Sequence, residues 1–238
     1  MSKIGIIAGS GVDELLFTKD FQIKDINTEY GAITVKEGLV EGKKVVFLNR
    51  HGLKYCPPHE INFRGNIQAL KQAGVEKILA TAAVGSMDLK MKPGNFVLLS
   101  DFIDFTRGRV EYFNPAAFTD VSSPYDDFLR KTVQKTAAGL KIKIHPSAVY
   151  VCTEGPRFES KAEIKMFKKL GGDVVGMTNV PEVVLAAEAG LPYAVIGVVT
   201  NYAAGISPRK ITSEEVISRM KEKAAKLSQL LQQTIKLL

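Results

Sequence analysis

The chain has 238 residues, of which 45% are hydrophobic and 24% charged, with a formal net charge of +7. These are ordinary globular values that suit one large α/β domain over residues 1–238 better than two small ones, and no apolar run approaches a membrane span. Cys56 and Cys152 make no disulfide framework and show no metal-ligand spacing with His51, His59 and His145, so a reducing, cytoplasmic setting without a metal is expected.

Taken in order, Lys3–Ala8 reads as a buried strand ending in a Gly-Ser-Gly loop, and not as a signal peptide. Ile33–Lys36 and Lys44–Leu48 flank Glu41-Gly42 as a hairpin. Helical spacing runs over Ile61–Ala73 and stops at Gly74. Strands follow at Lys77–Ala83 and Phe96–Leu99. The polar and aromatic stretch Asp101–Pro124 reads as a long functional loop. Beyond it come a helix over Asp126–Leu140, a strand over Ala148–Cys152, a helix over Ala162–Leu170 and a short strand at Val174–Gly176. A helix over Pro181–Glu188, a strand over Tyr193–Thr200 and a long amphipathic helix over Thr212–Leu238 complete the chain. Strands alternating with helices predict a mixed or parallel β-sheet covered by helices.

Six short constellations stand at strand ends, and each has an ordinary structural alternative. Gly9-Ser10-Gly11 can turn backbone N–H groups and the Ser10 hydroxyl around an anion, although it lacks the full P-loop or dinucleotide pattern. Arg50-His51-Gly52 offers a guanidinium fork and an imidazole, a pairing suited to phosphate. The small residues of Thr81–Ser86 let a ligand approach backbone, or let strand and helix pack tightly. Thr153–Ser160 sets an aromatic, acids and a hydroxyl at a strand-to-helix junction, where Glu159 or Ser160 could equally cap the helix. Thr178 can hold an anion at a helix start or cap that helix. Asn201 carries both a donor and an acceptor and can read a base edge or close an Asx turn. No Ser/His/Asp set or carboxylate pair stands out.

The order of these pieces (IAGSG, RHG with PPHEINFRGNIQAL, TAAVGS, TEGPRFES and VGMTNVPEVVLAAEAG) resembles the trimeric purine nucleoside phosphorylases and methylthioadenosine phosphorylases over nearly the whole length. The resemblance implies that phosphate is held by Ser10, Arg50, His51, the backbone at Ala82 and Ala83, and Thr178. It places Met177 against the sugar and sets Phe158, Glu159, Asn201 and Ala203 around the base, with Phe118 contributed by a neighbouring subunit. It also implies an α/β fold with a central mixed β-sheet flanked by helices, and a homotrimer or a dimer of trimers. Purine nucleoside and phosphate are then the partners, with phosphate a co-substrate; no cofactor, nucleic acid or membrane is involved. Phosphate attacks the anomeric carbon as the glycosidic bond breaks, and the oxocarbenium character of the sugar is met by the adjacent phosphate charge.

Four positions separate the branches. Methylthioadenosine enzymes carry aspartates where this chain has Asn201 and Ala203. The Asn201 amide can donate to O6 and accept N7–H, and a Glu159 carboxylate can accept N1–H of a 6-oxopurine, whereas adenine presents a bare acceptor there. A mismatch of this kind costs about 1–3 kcal/mol. Ser213 stands where inosine/guanosine enzymes have a histidine for the 5′-hydroxyl. The pattern looks like the methylthioinosine phosphorylase branch, with inosine and guanosine as further substrates and methylthioadenosine phosphorylase as the alternative.

Overall fold

A computed structural model describes residues 2–9, 21–108, 112–114, 116 and 118–238; Ser10 lies outside them. The chain runs through β1 (Lys3–Ala8), β2 (Gln22–Thr28), β3 (Gly31–Val40), β4 (Lys43–Asn49), a 3₁₀ turn at Pro58–Glu60, α1 (Phe63–Gln72), β5 (Lys77–Ser86) and β6 (Phe96–Phe105). It continues with α2 (Asp127–Gly139), β7 (Ile144–Thr153), α3 (Lys161–Lys169), β8 (Val174–Gly176), α4 (Glu182–Glu188), β9 (Tyr193–Tyr202) and α5 (Ser213–Leu237). Among the described residues the strands form one mixed sheet in the order β2-β3-β4-β1-β5-β8-β7-β6-β9, and β9 also pairs with β5. The last five strands in that order therefore close on themselves.

Alternation along the strands builds two cores. Ile4, Ile6, Val45, Phe47 and Leu79 face one side, where they meet Leu129 and Val133 of α2 and Leu227, Leu230 and Leu231 of α5. Ile7, Val46 and Leu48 face the other side, with Ile67 and Leu70 of α1 and Val183 and Leu185 of α4. Each such side chain, fully buried, stabilises the fold by about 1.5–3 kcal/mol before entropy is counted. A smaller cluster of Met87, Val151, Ile164 and Phe167 seats α3.

The hairpin at Glu41-Gly42 is as the sequence predicts: both residues have positive φ (50° and 77°), as a two-residue turn between twisted strands requires. The helices fall within a residue or two of their predicted ends. Two readings need correction. β2 was not predicted, because its QIKDINT is mostly polar and lies exposed at the sheet edge. The predicted loop from Asp101 begins later: Asp101–Phe105 continue β6, paired in register with Val149–Thr153 of β7. Pairing on that side keeps the backbone extended although Asp101, Asp104 and Phe105 are exposed and only Phe102 and Ile103 pack inward.

β5 positions the site. On one side it pairs with β9 from Ile78 to Ser86, while on the other it pairs with β1 at Lys77–Ala80 and with β8 only at Gly85 and Ser86. Thr81–Val84 therefore face a gap between β1 and β8 with no strand partner on that edge among the described residues.

Candidate active site

Arg50 follows β4 and folds back into this gap. Its Nη1 donates to the Thr81 carbonyl at 2.9 Å, and its Nε and Nη2 donate to the Glu182 carboxylate at 2.6 and 2.7 Å. Both side chains are essentially inaccessible, at 1% and 0% exposure. Burial opposes the arginine charge, but the Glu182 charge and hydrogen bonds outweigh it and leave the pKa above the ordinary arginine value. In a strand the N–H and C=O of one residue share a side and neighbouring residues alternate. The Thr81 carbonyl faces the gap, so the Ala83 N–H does too, and Ala82 turns toward β9.

His51 donates from Nδ1 to the Cys56 carbonyl at 2.8 Å, since a carbonyl can only accept. That bond fixes the tautomer and leaves Nε2 as the acceptor. Burial pushes the imidazole pKa down, with the Cys56 carbonyl opposing and Arg50 adding to the shift, so the ring is neutral near pH 7. Gly9 completes the corner: a Cβ on it would lie 3.1 Å from Arg50 Nη1 and 4.0 Å from His51 Nε2. The point beside Gly9 is thus within reach of a guanidinium donor and an imidazole acceptor. A protonated phosphate oxyanion, which is donor and acceptor at once, matches that pair.

The residues expected around the base lie near the ends of β5 and β7. Asn201 in β9 donates from Nδ2 to the Tyr202 carbonyl at 3.0 Å and accepts from Thr200 Oγ1 at 2.7 Å. Because the carbonyl cannot donate, the amide has one orientation, with one N–H and one oxygen lone pair left over. A Cβ on Gly85 would meet Asn201 Nδ2 at 3.3 Å, Val175 at 3.3 Å and Ala203 at 3.7 Å. Asn201 and Ala203 therefore stand together over the end of β5. Glu159 is buried, and its Oε1 accepts from Thr153 Oγ1 at 2.7 Å, leaving Oε2 available. Burial raises its carboxyl pKa, with the Thr153 hydrogen bond partly offsetting this.

The segment from Val175 to Glu182 joins the two halves. Val175 borders Gly85 beside Asn201, and the Gly176 carbonyl lies 3.4 Å from Thr153 Oγ1 beside Glu159. The Met177 sulfur would lie 2.7 Å from a Cβ on Gly155. The Thr178 N–H donates to Tyr150 Oη at 3.2 Å, and its side-chain hydroxyl has no partner among the described residues. Asn179 accepts from Tyr125 and donates to Tyr193, and Glu182 holds Arg50. A cavity of about 340 Å³ opens beside Thr153, Gly155, Glu159, Phe105 and Phe167. A second, of about 240 Å³, lies between His59, Arg64, Gly108 and Pro181. Glu154 borders both, and neither lining reaches Arg50, His51 or Asn201.

Other predicted residues stand further out. Phe158 is partly exposed at 39% and Phe118 fully so. Ser213 is exposed in the first turn of α5, with its hydroxyl on Glu214. Sequence reasoning passed over Glu182 and Tyr193. A signal was available for the first: Glu182 opens the EVVLAAE helix ahead of the apolar run Val183–Ala187, all but two of the helix residues are buried, and an acid in such a setting needs a partner.

Residues 3–236 match the phosphorylase superfamily. The probable 6-oxopurine nucleoside phosphorylase of Moorella thermoacetica is 47% identical over 98% of this chain and 92% of its own. The probable S-methyl-5′-thioinosine phosphorylase of Methanopyrus kandleri is 42% identical over 99% and 92%. Among solved structures, methylthioadenosine phosphorylase from Schistosoma mansoni in complex with adenine superposes with a TM-score of 0.95 at 32% identity, over 100% of this chain and 92% of that one. Similarity of this extent, over a single mixed sheet whose strand ends carry the predicted residues, has one meaning: the chain belongs to the phosphorylase superfamily.

Proposed function

We propose that the protein is a pentosyltransferase that cleaves purine nucleosides with inorganic phosphate and prefers 6-oxopurines. S-methyl-5′-thioinosine is its main substrate, with inosine and guanosine also accepted, and the products are the free base and (5-methylthio)ribose 1-phosphate. The orientation of Asn201 carries this reading. With its nitrogen committed to the Tyr202 carbonyl and its oxygen to Thr200, the amide has one donor for O6 and one acceptor for N7–H. Glu159 Oε2 supplies the acceptor for N1–H. Relatives bearing both 6-oxopurine and thioinosine names, at 42–47% identity, agree with it. Phosphate at Gly9, Arg50, His51, Ala83 and Thr178 is a co-substrate, and the reaction draws on no resident cofactor.

In this reading Asn201 and Glu159 stabilise the purine as it leaves with negative charge or with a proton at N7. Phosphate, held beside the anomeric carbon, supplies proximity and countercharge to the sugar. The likeness to methylthioadenosine phosphorylases, one of them 42% identical and from Pyrococcus abyssi, favours a second reading in which the same fold takes a 6-aminopurine. Phosphate-dependent base release from methylthioinosine, inosine, methylthioadenosine and adenosine separates the two. The hypoxanthine nucleosides are expected to exceed the adenine ones in kcat/KM by about 10²-fold, the effect of two unmatched polar contacts. That ratio should shrink as the pH falls through the raised pKa of Glu159, because a protonated carboxyl donates to adenine N1 and no longer accepts N1–H. Equal or faster cleavage of methylthioadenosine at neutral pH would establish the second reading.

A further inference from the structure

Arg50 has five N–H donors, and three of them are committed, two to Glu182 and one to the Thr81 carbonyl. The other two have no partner among the described residues, and Nη1 borders the space beside Gly9. Glu182 is itself held from behind by hydrogen bonds that all point one way: Tyr125 donates to Asn179, Asn179 Nδ2 to Tyr193 Oη at 3.2 Å, and Tyr193 Oη to Glu182 Oε1 at 2.5 Å. Tyr125, Asn179, Glu182 and Tyr193 are all buried. The carboxylate thus accepts from both sides, from Arg50 and from Tyr193.

The arrangement also sets charge. Arg50 and Glu182 form a pair of zero net charge, and the neighbouring imidazole is neutral near pH 7. An anion entering here meets oriented N–H groups but little net positive charge. A phosphate bound to a bare guanidinium would be held tightly with its charge spent on the cation. Held by a neutralised one, it keeps that charge for the developing sugar cation, in a site where low dielectric strengthens the attraction.

We propose that Glu182 is a positioning and charge-setting residue of the phosphorolysis: it fixes the Arg50 fork with its two spare donors toward phosphate and cancels the arginine charge. The inference rests on the assignment of phosphate to Gly9, Arg50 and His51.

The test uses the full-length protein with inorganic phosphate and compares Glu182→Gln, Tyr193→Phe and Arg50→Ala with the natural chain. Each is measured for phosphate KM, single-turnover rate of base release at saturating phosphate, and Tm with and without phosphate. In Glu182→Gln the freed cation should lower the phosphate KM several-fold while the single-turnover rate falls by roughly an order of magnitude or more. Phosphate should also raise Tm by more than it does in the natural chain, because it now satisfies a buried charge. A higher KM together with the slower rate would reduce Glu182 to a structural support and overturn the inference. If Glu182→Gln does not fold, Tyr193→Phe decides: losing one donor concentrates charge on Glu182, so the phosphate KM should rise about two- to threefold with the rate held. No change in either quantity would overturn the inference. Arg50→Ala separates the layers: an unchanged phosphate KM there sinks the phosphate assignment and this inference together. A raised KM there beside an unshifted Glu182→Gln sinks the inference alone.

Discussion

Gly9 matters for what it leaves out. A methyl group there would stand 3.1 Å from Arg50 Nη1, in the space assigned to a phosphate oxygen. Its φ is not in the left-handed region, so Gly9→Ala brings no backbone strain and tests space alone. We expect the phosphate KM to rise about tenfold, the equivalent of one lost charge-assisted hydrogen bond, with Tm nearly unchanged; a KM within twofold of the natural chain would place phosphate elsewhere. At this scale the sequence was legible where chemistry and position coincide: Arg50, His51, Thr178 and Asn201 were singled out as reactive residue types just after or at the ends of strands, and the family resemblance supplied the roles proposed for them. Glu182 was not, since an acid in the first turn of a helix is routinely explained by the helix dipole, and its partner lies 132 residues away. The Asn201 orientation was equally out of reach, because it depends on one backbone carbonyl.

At the level of elements, the loop that presents Phe158 and Glu159 is clamped by the start of α3. Ser160 and Glu163 form a reciprocal capping box, and Glu163 also receives Arg157 Nη1 and Nη2 at 2.9 and 2.7 Å. The Arg157 hydrogen bonds, followed by that from the Ser160 N–H, hold the Glu163 carboxyl down at about 2. The TEGPRFES run had left open whether Glu159 and Ser160 serve a ligand or a helix. The structure divides the work: Ser160 caps, and Glu159 turns inward to Thr153. Glu163→Gln should therefore cost stability of about 1 kcal/mol, the worth of a cap, and raise the KM for hypoxanthine nucleosides while leaving the phosphate KM alone. Paired urea melts and steady-state kinetics check this, and a phosphate KM that moved in step would show that the clamp serves the whole site. Element boundaries failed where burial pattern and backbone pairing disagree, as at Asp101–Phe105, whose mixed polar and half-buried side chains hide a continuing strand.

For the whole molecule, the alternation of strands and helices pointed to a mixed or parallel sheet covered by helices, and the family resemblance to the mixed one; the sheet is mixed, with a core on each face. The closure of β9 onto β5 was not legible, since strand order depends on pairings between distant segments. Assembly belongs to this scale as well. Phe118 is fully exposed in the single chain, and a large apolar side chain so placed suits burial in a neighbour. A homotrimer of 26.0 kDa chains is expected by light scattering. Phe118→Ala should lower nucleoside kcat/KM by about tenfold without changing the phosphate KM. A monomer with full activity would remove Phe118 from the site.

The run from Val175 to Glu182 links the surroundings of Asn201 and Glu159 to those of Arg50 and is anchored at nearly every residue. If base and phosphate bind as proposed, it acts as a gauge between them. An extended residue spans about 3.3 Å, more than twice a carbon–oxygen bond, so inserting or deleting one residue in this run would move phosphate out of range of the anomeric carbon. Base preference can drift through Glu159 and Asn201, which lie off the gauge; the distance it sets cannot change by small steps.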